Sequence, residues 1–394
     1  MKILQICHKP PFPPIDGGCK AMHQVTETLM EQNINVQVLA IETFKHPVDE
    51  NLQTEAYRKN TNFDSHFVDI KVRPLEALLN LFSSESYNIS RFWNSDFAQL
   101  IEQKLINEKF DIIQLESLYV APYLKLIRRH SKAKIVYRAH NLEHKIWETN
   151  YEITSNPFKK LYIKLLAKRL KKFETAFIKK VDFIAAISPV DAEWISNNSS
   201  VPTKVIPFGL EADLPTDKKA QKNICYLGAL DWYPNQLGLE WFLKNVWAEI
   251  HQQFPDAQFN IAGRGAPQSI LNWDFPGVNI IGEVENTQEF LKQHAIMLVP
   301  LFAGSGIRIK ILEGLANHLA ILTTSLGAEG LDLKDKEHLL LADTALEFKK
   351  NLRDLLENKD LQNSLADKGF KRFQQLYSIA NIKKQWINFY QSIL

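Results

Sequence analysis

Residues Ile296–Thr324 read IMLVPLFAGSGIRIKILEGLANHLAILTT. The first four, Ile296 to Val299, form an apolar run short enough for a strand buried on both faces, and Pro300 closes it. A loop of small residues follows, Ala303-Gly304-Ser305-Gly306. Beyond it Ile307, Ile311, Leu312, Leu315, Ala316 and Leu319 recur at helical spacing, so one stripe of a helix faces a core. Ala320 to Thr324 predicts a second strand. Strand, glycine loop, helix and strand make a unit suited to phosphate: glycines let main-chain amides approach an anion, and the helix adds the positive end of its dipole. Gly306, Lys310, Glu313 and Asn317 fall at i, i+4, i+7 and i+11, which sets the Lys310 ammonium and the Glu313 carboxylate on one face. A diphosphate needs cations, and a ribose with two adjacent hydroxyls needs a carboxylate to accept both protons. Arg308, in the expected first turn, is a second cation beside the loop. A solvated Lys–Glu pair is the rival reading; the glycine loop in front favours a nucleotide diphosphate.

At 394 residues the chain exceeds one ordinary core and predicts two domains of similar size. Hydrophobic content of 45% and charged content of 23% are those of a globular protein. The net charge of +2 argues against a dedicated nucleic-acid binder. Cys7, Cys19 and Cys225 form no C-x-x-C and cannot all pair, which predicts a reducing compartment. The apolar run at Met1–Cys7 is too short for a signal peptide, and no stretch of about 20 apolar residues occurs. The expectation is a cytoplasmic protein, or one lying on the inner face of a membrane without crossing it.

Strands are expected at Ile3–Cys7 and Asn35–Ile41 with a helix at Ala21–Gln32 between them, a βαβ opening. Gly17-Gly18 precedes that helix where amides could meet a phosphate, although such a pair is otherwise a plain turn. Residues 43–100 are the least periodic, with a strand at His66–Ile70 and a helix over Pro74–Phe82. Strands return at Asp111–Glu116, Lys134–Arg138 and Val181–Ile187, with a helix near Ala121–His130. Ala139-His140-Asn141-Leu142-Glu143 is a polar cluster just past a buried strand, where α/β enzymes carry reacting groups. His140 is the candidate there, against a loop histidine satisfied by backbone; Glu143 and His144 also suit a helix cap. The polar stretch Glu211–Lys222, with Pro215, places the domain boundary near Pro207–Asp217. The second half repeats the pattern at Asn223–Gly228, Ala257–Ala262 and Val278–Gly282, with helices over Pro234–Ile250, Ala345–Leu356, Leu361–Tyr377 and Ile382–Leu394.

Phe158–Lys180 reads FKKLYIKLLAKRLKKFETAFIKK. Its apolar residues keep helical spacing, while nine Lys and Arg residues face one acid, Glu174. Two readings stay open: an amphipathic helix docked on anionic lipid, where each cation near the surface is worth about 1 kcal/mol, or a core helix with a solvated basic back.

The segment GSGIRIKILEGLA resembles the family 4 glycosyltransferases, retaining enzymes of the GT-B fold, and specifically a subgroup with Ser at the first Glu of the E-x7-E signature. Here Ser305 takes that place and Glu313 matches the second Glu. The resemblance implies an α/β GT-B fold of two Rossmann-like doubly wound domains facing a central cleft. Residues 1–206, completed by 378–394, would bind the acceptor; residues 207–377 would bind the nucleotide sugar. It implies that Glu313 binds ribose, that the Gly17-Gly18 loop faces the donor diphosphate through Gly18, and that His140 lies near the transferred sugar. Gly282-Glu283-Val284 matches the place where backbone reads the base, through Val284. The turn after the first strand of the second half, Ala229–Asn235, lacks the cations the family carries there, so Arg264, Arg308 and Lys310 are the candidates for phosphate charge.

The implied activity is a hexosyl or related transfer from a nucleotide-diphosphate sugar to a glycan or lipid-linked acceptor in cell-surface polysaccharide synthesis. His140, Arg308 and Lys310 would be catalytic, and Gly18, Arg264, Val284, Gly304, Ser305, Gly306, Ile307 and Glu313 would bind donor. No Asp-x-Asp occurs, so no bound metal or other cofactor is expected. The other readings are a GT-B relative with different chemistry, such as a sugar-nucleotide epimerase or a phosphorylase, and a non-catalytic nucleotide-sugar-binding protein. A Rossmann dehydrogenase is disfavoured because no G-x-G-x-x-G follows the first strand.

Overall fold

The computed structural model describes residues 1–48, 54–81, 83, 85–212, 222–304 and 306–394. The chain divides into two units, Met1–Phe208 with Ile382–Leu394, and Gly209–Asn381. In the first, strands β1 (Lys2–Cys7), β2 (Asn35–Glu42), β3 (Asp64–Phe67), β4 (Ile112–Glu116), β5 (Lys134–Ala139), β6 (Phe183–Ala186) and β7 (Thr203–Val205) form one parallel sheet in the order β3-β2-β1-β4-β5-β6-β7. In the second, β8 (Asn223–Leu227), β9 (Gln258–Ala262), β10 (Val278–Gly282), β11 (Ile296–Val299), β12 (Ala320–Thr323) and β13 (Leu340–Leu341) run β10-β9-β8-β11-β12-β13. Both are Rossmann-like doubly wound sheets. Each grows in two directions from its first strand, so the winding reverses between β1 and β4 and again between β8 and β11. Ligands in open parallel sheets bind in the crevice that such a reversal opens at the carboxyl ends of the strands.

The central strands are continuous apolar runs because helices cover both faces; β11 and β12 are buried at every position. The first sheet departs from this on one face. Register places Gln5 opposite Gln114, Cys7 opposite Glu116 and Glu116 opposite Arg138, all buried. The two glutamines and Glu116 bond one another and the last helix, while Arg138 is held through one of its nitrogens, its Nε and Nη2 having no hydrogen-bond partner among the described residues. Tyr390 Oη donates to Gln114 Oε1, Arg138 Nη1 donates to the Ala21 carbonyl at 2.8 Å, and its guanidinium lies 4.8 Å from the Trp386 ring centroid.

Several elements differ from expectation. Gly17 and Gly18 belong to the first turn of a helix, Gly17–Glu31, because Asp16 caps it by accepting from the Cys19 amide at 2.8 Å. The helix near Ala121 opens as a 3₁₀ segment, Leu118–Tyr123, containing Pro122. The helix following Trp232 passes through a π turn at Leu243–Trp247. The helix beginning at Pro74 ends at Asn80. Phe82 and Pro215 lie outside the described residues.

Trp386 is fully buried against the strand face of the first unit. Trp386→Ala is expected to destabilise that unit by about 3–5 kcal/mol, seen as a lower urea midpoint in near-ultraviolet circular dichroism. An unchanged midpoint would show that the last helix contributes little.

Candidate functional site

In the second unit the expected helix is short, Ile309–Ala316, and it starts two residues later than the apolar spacing implied. Arg308 is therefore its N-cap residue and not part of its first turn. The loop before it turns through left-handed conformations at Gly304 (φ 124°) and Gly306 (φ 83°), open to glycine without strain. Gly304 also needs its missing side chain, since a Cβ there would fall 2.6 Å from the Trp232 ring. Ser305 lies outside the described residues.

Arg308 folds back over this loop. Its Nη1 donates to the Gly306 carbonyl, and the residue is 5% exposed. Nε and Nη2 are buried with no hydrogen-bond partner among the described residues. The amides of Gly304, Gly306, Ile307 and Arg308 likewise donate to no group among the described residues. Buried donors without acceptors, such as the two on Arg308, are costly. Here they share one small-residue loop and one cation, which is the donor set for an anion.

Lys310 sits on the first helical turn and reaches the end of β8. Its Nζ donates to Tyr226 Oη at 2.8 Å and to Asn235 Oδ1 at 2.9 Å, 4.6 Å from the Tyr226 ring centroid. A Cβ on Gly228 would lie 2.7 Å from this ammonium. Asn235 is itself anchored, its Nδ2 donating to the Ala229 carbonyl at 2.7 Å. The residue is only partly buried, yet its ammonium is enclosed by these groups. Burial pushes its pKa down to about 7, the nearby Arg308 adds to the depression, and Glu313 opposes it. Glu313 is thus within electrostatic reach, on the partly exposed side of the helix. Asn317 caps the helix end and turns away, donating to Gln288 Oε1 at 2.6 Å.

Arg264 is exposed in the loop after β9, and its carbonyl accepts from the Leu230 amide at 2.9 Å, fastening that loop to the one after β8. Val284 packs against the core formed by Met297, Ile311 and Leu315. It lines a cavity of about 490 Å³ with Asn260, Glu289 and His294, whose walls include neither Arg308 nor Lys310.

In the first unit His140 and Gly18 sit at the β1/β4 reversal. His140 Nε2 lies 2.7 Å from Glu116 Oε2. Glu116 also accepts from Gln5 Nε2 at 2.8 Å and from Gln114 Nε2 at 2.6 Å. Burial alone would raise the Glu116 pKa; Arg138 and His140 outweigh it and hold it at about 2. Burial lowers the His140 pKa against the pull of Glu116. The consistent state is a carboxylate facing a neutral imidazole, so Nε2 carries the proton and Nδ1 is left as an acceptor. A Cβ on Gly18 would lie 2.8 Å from Lys9 Nζ, which pairs with both Asp16 oxygens at 2.8 and 2.7 Å. Asp16, Cys19 and His46 offer ligand atoms within 4.8 Å of one another, but Lys9 already neutralises that carboxylate.

Sequence reading missed the groups that hold the expected ones. Glu174, the lone acid of the basic helix, is buried; it accepts from His144 Nδ1 at 2.6 Å and from the amides of Glu143 and His144. Glu143 accepts from Tyr119 Oη at 2.8 Å, and burial raises its pKa to about 7. Tyr226, Gly228 and Asn235 were equally unmarked.

Two doubly wound parallel-sheet domains, each with polar groups at the reversal of its winding, define the GT-B class of fold, and the comparisons agree. Residues 221–358 match the family described as glycosyl transferases group 1. An uncharacterized 44.6 kDa protein in the cps region of Klebsiella pneumoniae is 26% identical over 397 residues, covering 95% of this chain and 96% of that one. Sucrose-phosphate synthase from Thermosynechococcus elongatus superposes with a TM-score of 0.68 at 14% identity, over 100% of this chain and 99% of that one. HepE from Anabaena, in complex with UDP, gives 0.67 at 10% identity with both chains fully covered.

The Glu116 pKa lies below the ordinary 4.5, so its stabilising contribution is complete above about pH 4.5 and is lost as the pH falls through about 2. Glu116→Gln is expected to flatten the acid limb of the first unit's stability between those values, measured by urea unfolding across pH. An unchanged limb would mean the carboxylate is not held ionised.

Proposed function

We propose that the protein is a retaining glycosyltransferase that moves a sugar from a nucleotide-diphosphate donor to a glycan or lipid-linked acceptor in cell-surface polysaccharide synthesis. The observation that carries this is the buried Arg308 guanidinium, with two donors unpartnered among the described residues, beside a left-handed glycine loop and the Lys310 ammonium at the β8/β11 reversal. Departure of a nucleoside diphosphate builds negative charge on its terminal phosphate, and preoriented donors stabilise that charge. In this reading Arg308, Lys310 and the amides of Gly304, Ser305, Gly306 and Ile307 receive it, Glu313 accepts from the ribose hydroxyls, and Arg264, Gly18 and Val284 complete the donor's surroundings. His140, its Nε2 tied to Glu116, offers Nδ1 to a sugar or acceptor hydroxyl. The family match over residues 221–358 supports sugar transfer, the HepE complex supports a UDP donor as the first to try, and the cps-region relative supports the polysaccharide role.

The test is donor consumption, with and without acceptor glycans, over a panel of nucleotide sugars, with the anomeric configuration of the product read by NMR. Acceptor-dependent release of nucleoside diphosphate is expected, with Arg308→Ala lowering turnover by about 10²–10³. Unchanged transfer in that variant would contradict the assignment.

A second outcome follows from Lys310. Its ammonium titrates near pH 7 in the free protein, and a bound diphosphate favours the charged form, so binding takes up a proton. The UDP dissociation constant should rise by up to about tenfold per pH unit between pH 7 and 8.5, measured by calorimetry in buffers of different ionisation enthalpy. Lys310→Met should remove the dependence; a flat wild-type profile would contradict a titrating Lys310 in the site.

A further inference from the structure

The helix Pro157–Phe177 has two apolar faces, and only one is covered. Ile163, Leu166, Ala167, Leu170 and Phe177 are buried, and so is Glu174. Phe158 and Leu161 point the other way, 86% and 69% exposed. Arg169 ties the flank of this helix to the preceding short helix, donating to the Asn80 carbonyl at 2.7 Å and to the Leu81 carbonyl at 2.9 Å. That short helix, Pro74–Asn80, presents Leu75 and Leu79 at 70% and 61% exposure. Four large apolar side chains on two linked helices are thus left in water.

The charge around them is mostly basic: the exposed Glu76 of the short helix is paired with Arg73 at 3.1 Å. Lys159, Lys164, Lys168, Lys171 and Lys172 are exposed on the helix Pro157–Phe177. Its one acid is turned inward onto His144, so nothing on the outer face of this helix offsets the lysines; among the described residues only Lys171 finds a carboxylate, Glu148 of the neighbouring helix at 3.2 Å. Lysine is depleted from protein–protein interfaces, where its ammonium must be desolvated. At a lipid surface the same side chain extends its stem along apolar atoms and keeps the ammonium among the headgroups. No helix among the described residues is long and apolar enough to cross a membrane.

We infer that this face of the first unit docks on an anionic lipid bilayer, with Phe158, Leu161, Leu75 and Leu79 entering the headgroup boundary and Lys159, Lys164 and Lys168 resting on anionic headgroups. The inference uses only the first unit and stands or falls independently of the donor reading. Of the two readings the sequence left open it takes the first, and confines the contact to the first half of the helix and the segment at 75–79.

The test is flotation of the full chain with phosphatidylglycerol–phosphatidylcholine vesicles and with pure phosphatidylcholine vesicles, at low and high salt. Binding to the anionic vesicles is expected, weakened by salt and absent on phosphatidylcholine. Phe158→Ser with Leu161→Ser removes exposed groups and should leave the fold intact by circular dichroism while weakening binding tenfold or more. Lys164→Glu with Lys168→Glu should lower it by about fivefold per cation or more. With brominated lipids, Phe158→Trp should be quenched. Equal binding to both vesicle types, undiminished binding in either double variant, no quenching, or self-association abolished by the serine variant without vesicle binding would each overturn the inference.

Discussion

Two like charges held at the end of one parallel sheet are the constraint on which the second unit's chemistry depends. Arg308 is buried with two donors that find no partner among the described residues, and burial together with the Arg308 charge disfavours the charge on Lys310. Burial disfavours both charges, and the carboxylates of Glu329 and Glu313 oppose that only in part, so the arrangement persists because the fold imposes it. The Tyr226 ring, the Asn235 amide and the absence of a side chain at Gly228 fix the ammonium, while the left-handed turns at Gly304 and Gly306 wrap the guanidinium. Under the proposed function a diphosphate, charged on two linked phosphates, meets both cations and the loop amides at once, which a single carboxylate does not.

The two sheets share one winding order and differ in charge. At the β1/β4 reversal the first unit holds a carboxylate, Glu116, which Arg138 and His140 keep ionised at neutral pH against its burial. At the β8/β11 reversal the second unit holds cations. Under the proposed function the second of these meets the negative charge of the leaving group. A further pair of buried acids, Glu143 and Glu174, stands at the start of the helix Glu143–Ile153, where amides take one and Tyr119 the other.

The sequence made the architecture legible because buried parallel strands leave continuous apolar runs, and the run, loop and stripe at 296–324 identify their own neighbours by spacing. It marked Lys310 and Arg308 but not what they touch. Tyr226 and Asn235 lie 84 and 75 residues from Lys310, and no periodicity links them. Arg308 reads as a first-turn cation because apolar spacing runs through Ile307, whereas the glycine turns delay the helix to Ile309. Glu174 reads as a surface acid in a basic helix, although its spacing from Leu170 and Phe177 already places it on the buried stripe. Phe158 and Leu161 share the spacing of the core residues near them, and only the packed neighbours reveal which side each faces.

The most direct test of the central claim is a crystal structure with UDP bound. The account predicts terminal phosphate oxygens within about 3 Å of Lys310 Nζ and of Arg308 Nε or Nη2, with the amides of the 304–308 loop directed at the same group. A diphosphate bound elsewhere, with Arg308 still unpaired beneath its loop, would contradict it.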